Sequence, residues 1–134
     1  MRARHAVACA LPLVLAACAS AGGLKQEPLN AGVQRTYAAP LLRTVNAART
    51  AMGGAGITIE EATQIAPNAW MIMGKKGVSG FSWGELVRVV VEENPPGQSA
   101  VRIISKRRVA TNITATGDWS RSLLDQIALT LAGN

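Results

Sequence analysis

The sequence predicts an α+β domain: a two-layer sandwich in which a four-stranded antiparallel sheet carries two helices on one face, in the order α-β-β-β-β-α. Three observations predict it. Residues 37–53 and 118–132 place apolar side chains at helical spacing. Glu85–Glu93 and Ala100–Val109 alternate apolar and polar residues around Asn94-Pro95-Pro96-Gly97, which can only turn. Hydrophobic residues make up 49% of the 134 and charged residues 16%, too apolar for a disordered chain and too mixed for a polytopic membrane protein. One apolar stripe per helix and one apolar face per strand are buried together most simply by two layers.

The chain opens on an address. Arg2 and Arg4 form a positive start, and Ala6 to Leu15 is an apolar run broken by Pro12. A bilayer span needs about 20 apolar residues, so this run has the length and charge order of a secretory signal. It ends in Leu15-Ala16-Ala17-Cys18, which resembles the lipobox of bacterial lipoproteins. That resemblance implies peptidase recognition of Leu15, Ala16 and Ala17, a diacylglycerol group on the Cys18 sulfur, and a cut before Cys18. Only a thiolate is nucleophilic enough to take the lipid, and two or three acyl chains hold a membrane where one holds marginally. Ala19 after the cysteine implies the outer membrane under the enteric sorting rule. Ala17-Cys18-Ala19 and Ala19-Ser20-Ala21 also fit the general signal peptidase, whose cut would release a soluble periplasmic protein.

The division expected is therefore 1–17 signal peptide, 18–35 lipidated N-terminus and flexible tether, and 36–134 periplasmic domain. The tether is read from the small, Gly-rich composition of residues 19–34 and from Pro28.

Cleavage before Cys18 removes His5, Cys9, Arg2 and Arg4. The net charge of +6 falls by two. The mature chain then holds no histidine, and its one cysteine is acylated. No Ser–His or Cys–His nucleophile pair, no usual zinc ligand set and no intrachain disulfide is expected. Neither an enzyme, a cofactor nor a bound metal is anticipated.

The first helix, 37–53, repeats Leu41, Val45, Ala48 and Met52, takes Pro40 into its first turn, and stops at Gly53-Gly54. Ile57–Thr63 and Ala69–Gly74 give two shorter strands, the first weakened by Glu60-Glu61. The clear pair has a definite register: Val91 opposite Val101, Val89 opposite Ile103 and Val87 opposite Ser105 fill one face. Leu86 with Lys106, Arg88 with Ile104 and Val90 with Arg102 fill the other. A slip by one residue would bury the charges. The closing helix repeats Trp119, Leu123, Ile127 and Leu131, with Asp118 as its N-cap.

The lipobox, the helix ending Gly-Gly-x-Gly-Ile, the meander and the helix opened by Asp118-Trp119 together resemble a group of small proteobacterial outer-membrane lipoproteins carrying a domain of unknown function. The architecture is also similar to α/β modules in lipoprotein subunits of the β-barrel assembly machinery. The resemblance implies a periplasm-facing envelope protein and assigns no catalytic residue.

Three site expectations follow. Arg88, Arg102, Lys106 and Arg108 share a sheet face, with Arg107 joining from the other face or the strand end; this is either a solvated face that discourages edge pairing or an anionic contact face for lipid headgroups, lipopolysaccharide phosphates or an acidic envelope protein. Nucleic acid is excluded by export. Gly77–Gly84 presents Phe81 and Trp83 either to a ligand or to the core. The adjacent pairs Glu60-Glu61 and Glu92-Glu93 point to opposite faces of their strands and cannot form an acid–base pair. The sequon Asn112-Ile113-Thr114 carries no meaning in a bacterium. The function expected is a non-catalytic lipoprotein that binds another envelope component. The alternative is a small periplasmic module holding an apolar molecule between helices and sheet, lined by Met52, Met71 and Met73.

Overall fold

The structure is a computed structural model that describes residues 20–77, 84–107 and 119–133. Its elements run α1 (Ala21–Gln26), β1 (Val33–Tyr37), α2 (Leu41–Gly54), β2 (Ile57–Ala66), β3 (Ala69–Lys76), β4 (Glu85–Glu93), β5 (Ser99–Arg107) and α3 (Ser120–Ala132). The class is the expected α+β. The sheet, however, has five antiparallel strands in the order β1-β5-β4-β3-β2, against the four expected. The additional helix comes from the segment read as a tether; the additional strand straddles its end and takes Tyr37 from the first expected helix, which starts later.

The core register is as the alternation demands. Val87 pairs with Ser105, Val89 with Ile103 and Val91 with Val101, while Leu86, Arg88 and Val90 sit opposite Lys106, Ile104 and Arg102. The valines at 87, 89 and 91 are fully buried with Val101, Ile103, Ile72 and the apolar stripes of α2 and α3. At roughly 25 cal/mol per Å² of apolar surface, this face carries most of the hydrophobic stabilisation.

Helix α2 begins at Leu41 because Pro40 is extended (φ −71°, ψ 162°) and serves as N-cap, not as part of the first turn. Proline has no capping side chain. Glu93, at the end of β4, supplies the acceptor instead: its Oε2 takes the Leu41 N–H at 2.9 Å and the Gly97 N–H at 3.2 Å. A carboxylate there also meets the positive end of the helix dipole. At the far end, Gly53 and Gly54 remain helical, and the left-handed residue is Gly56 (φ +76°). Helix α3 opens at Trp119, and the expected cap Asp118 lies outside the described residues.

Strand β1 forms on β5 with Val33 opposite Ile103 and Tyr37 opposite Ser99. Its odd positions face the helices: the buried Tyr37 hydroxyl donates to the Leu124 carbonyl at 2.6 Å, and Arg35 meets Asp125 at 2.6 Å. Gly32 lets the chain enter, since at φ +107° a Cβ would stand 2.4 Å from the Ile103 carbonyl oxygen.

Helix α1 lies on the opposite face of the sheet from α2 and α3. Six residues with two glycines cannot hold a helix alone. Ser20 Oγ caps it by accepting from the Gly23 N–H at 3.0 Å, and Leu24, 1% exposed, packs on Met73 and Leu86. Pro28 follows and ends it.

Candidate functional site

The face expected to contact anions is the one α1 covers. Strand alternation does place Arg88, Arg102 and Lys106 together there. Each described cation already has a partner. Arg88 is 1% exposed; its Nη1 donates to the Leu24 and Glu27 carbonyls (3.1 and 2.5 Å) and its Nη2 to the Pro28 carbonyl (2.8 Å). Its Nε is buried without a hydrogen-bond partner among the described residues. Burial lowers the Arg88 pKa from its ordinary value, and the guanidinium nonetheless stays charged. Arg102 donates to Gln34 at 2.9 Å and lies 3.9 Å from Glu92. Lys106 pairs with Glu27. Arg108 lies outside the described residues, as do the side-chain surroundings of Arg107.

Around this face the carboxylates follow the same rule. Glu60 pairs with Lys75 at 2.8 Å, and Glu61 pairs with Lys25 of α1. Both therefore reach the α1 side, contrary to the expectation that adjacent residues diverge. The cause is a register shift between Ile59 and Glu61, a bulge that breaks the alternation. Lys25, donating a hydrogen bond, holds the Glu61 carboxyl below its ordinary pKa. Glu92 and Glu93 do diverge, one toward Arg102 and the other to the α2 cap.

A second arrangement was not anticipated. A cleft of about 490 Å³ opens between the C-terminal end of α2 and one side of α3, lined by Thr50, Lys76, Trp119, Ser122, Gln126 and Thr130 among others. Lys76 Nζ stands 4.9 Å from the Trp119 ring centroid, a cation–π contact. The Trp119 indole N–H donates to Glu85 Oε2 at 2.5 Å, and the Ser105 hydroxyl donates to the same oxygen at 2.9 Å. Glu85, 8% exposed, is thus a structural acceptor that ties β4, β5 and α3 together. Trp119 reads in the sequence as one member of the apolar stripe; its indole nitrogen was the only hint of this cross-element contact.

The methionines proposed as one lining are split by the sheet. Met52 is buried on the helix side, whereas Met73, with Met71 against it, belongs to the cluster under Leu24. Gly74 closes the helix side where they would have met: a Cβ there would stand 2.6 Å from Ile57 Cγ2 and 3.0 Å from Met52 Cε. Among the described residues, no group of three His, Cys, Asp or Glu could hold a metal. Leu15, Ala16, Ala17, Cys18, Phe81 and Trp83 all lie outside the described residues. No helix among those described is long and apolar enough to cross a membrane.

No family model matches this chain, and no curated protein matches it.

Proposed function

We propose that this chain is a non-catalytic bacterial envelope lipoprotein, held in the outer membrane by acyl chains on Cys18, with its domain in the periplasm and bound to another envelope component. The observation that carries the reading is Leu15-Ala16-Ala17-Cys18 at the end of a short apolar run behind Arg2 and Arg4. It is supported by the titratable groups: the buried carboxylate Glu85 is engaged by Trp119 and Ser105, and the sheet-face cations by carbonyls and carboxylates. A carboxylate or cation already satisfied in this way is a poor general acid or base. The alternative, a periplasmic binder of an apolar molecule between helices and sheet, loses its three-methionine lining.

The reading is tested in a Gram-negative host expressing wild type and Cys18→Ser, fed an alkynyl palmitate analogue. Wild type should take up the label and fractionate with the outer membrane, and the variant should do neither. In-cell crosslinking of the anchored protein should then recover a discrete envelope partner. Equal labelling, or release of wild type into the periplasm, would remove the anchor.

A further inference from the structure

Resting on the Cys18 anchor just proposed, we infer that the chain lies with its α1 face against the bilayer and turns its α2–α3 layer away from it. Chain length is the first constraint on the pose. Ser20, the first of the described residues, caps α1. Only two residue steps separate Ser20 from Cys18, a reach of about 7 Å at most. A free tether of residues 18–35 would wander about 23 Å on average and leave the domain free to turn over. Within residues 20–35, α1 takes Ala21–Gln26, β1 starts at Val33, and Arg88 holds the Glu27 and Pro28 carbonyls in the segment between them, so no free tether runs there.

The second link is how firmly α1 is joined to the domain. Leu24 is buried between Met73 and Leu86, and Arg88 donates to the carbonyls of Leu24, Glu27 and Pro28, within and beyond the helix end. Lys25 and Glu27 pair with Glu61 and Lys106 on two different strands. A lipid two residues upstream therefore pulls on the sheet itself, on the side opposite α2 and α3.

The third link is what that side offers. The outward residues of α1 and its exit, Ala21, Gly22, Gly23, Gln26 and Leu29, are exposed and uncharged. The lysines and Arg102 beside them are matched to Glu60, Glu61, Glu27 and Glu92. Such a surface loses little on approaching headgroups, and charge does not drive the approach. Charge alone would favour the reverse pose, since the exposed Arg49 and Arg121 lie on α2 and α3. The anchor and these two exposed arginines thus make opposite predictions, which makes the pose testable.

In the mature protein the Cys18 sulfur is a thioether, so an introduced cysteine is the single free thiol. Full-length Gln26→Cys (on α1) and Asn46→Cys (on the outer side of α2) would be expressed, extracted and labelled with a thiol-reactive fluorophore. Each would be reconstituted in phosphatidylethanolamine–phosphatidylglycerol vesicles carrying a headgroup nitroxide lipid. The inference expects the label at residue 26 to be quenched several-fold more than that at residue 46, with little change on adding salt. Equal quenching, or stronger quenching at residue 46, overturns the pose while leaving the anchor intact. Two labels per chain and no vesicle binding would show an unacylated Cys18, and would overturn the anchor and the pose together.

Discussion

Arg88 shows why a residue's place on a strand does not settle its role. Alternation puts it on the face away from α2 and α3, and there its charge reads as available. Backbone carbonyls of a segment 60 to 64 positions earlier take it instead. Replacing it by methionine keeps much of the volume and strands those carbonyls, at about 1–3 kcal/mol for an unsatisfied buried group. Arg88→Met should lower the urea midpoint and raise amide exchange across α1 while leaving α2 unchanged. Two glycines make an opposed pair. Gly32→Ala must place a Cβ against the Ile103 carbonyl at positive φ, and should cost about 1–3 kcal/mol of stability. Gly53→Ala meets nothing within 4 Å in a helical conformation, and should gain about 0.4–1 kcal/mol. Equilibrium unfolding of the two variants measures both. Tyr37, the single tyrosine of the chain, can be titrated alone by ultraviolet difference absorbance. Burial raises its pKa above the ordinary 10.0. The unfolded chain then loses that proton first, so stability should fall as pH rises past the unfolded value. Tyr37→Phe should abolish that alkaline slope.

At the scale of elements, what was legible is what periodicity dictates. The β4–β5 register could be read because every one-residue slip buries a charge, and the structure repeats it pair for pair. The two long helices were legible from their apolar spacing, and β2 and β3 from shorter apolar runs. Strand β1 was not: Val33–Tyr37 has two apolar residues at its ends, and Tyr37-Ala38-Ala39-Pro40 resembles a helix entry. Its existence depends on Gly32 fitting against β5, a long-range contact. Helix α1 was illegible because its composition opposes it locally. Glycines at 22 and 23 and Pro28 signal a linker, and only Leu24 and Arg88 convert the segment into a covering layer. Leu24→Asp should undock it, exposing Met73 and Leu86. The check is dye binding to apolar surface, which should rise without loss of the far-ultraviolet signature of α2 and α3. The cleft beside Trp119 was illegible too, since the Glu85 contact joins residues 34 positions apart.

At the scale of the whole molecule, the sheet separates two unlike surfaces. One is covered by α1, with its described charges matched on that face. The other is the helix layer, where Leu42 and Leu129 are 61% and 65% exposed and Arg49 and Arg121 face solvent. On the proposed anchoring at Cys18, the helix layer and the cleft beside Trp119 would be the surfaces left for a partner. The sequence offered the opposite face as the candidate contact surface, because strand parity was visible and the covering helix was not. Everything at this scale depends on the state of Cys18. The most direct measurement is the intact mass of the full-length gene product recovered from Gram-negative membranes, beside Cys18→Ser. The account predicts a chain beginning at Cys18 that carries the mass of two or three acyl chains, absent from the variant. An unmodified soluble chain beginning at Ser20 or Gly22 would contradict it.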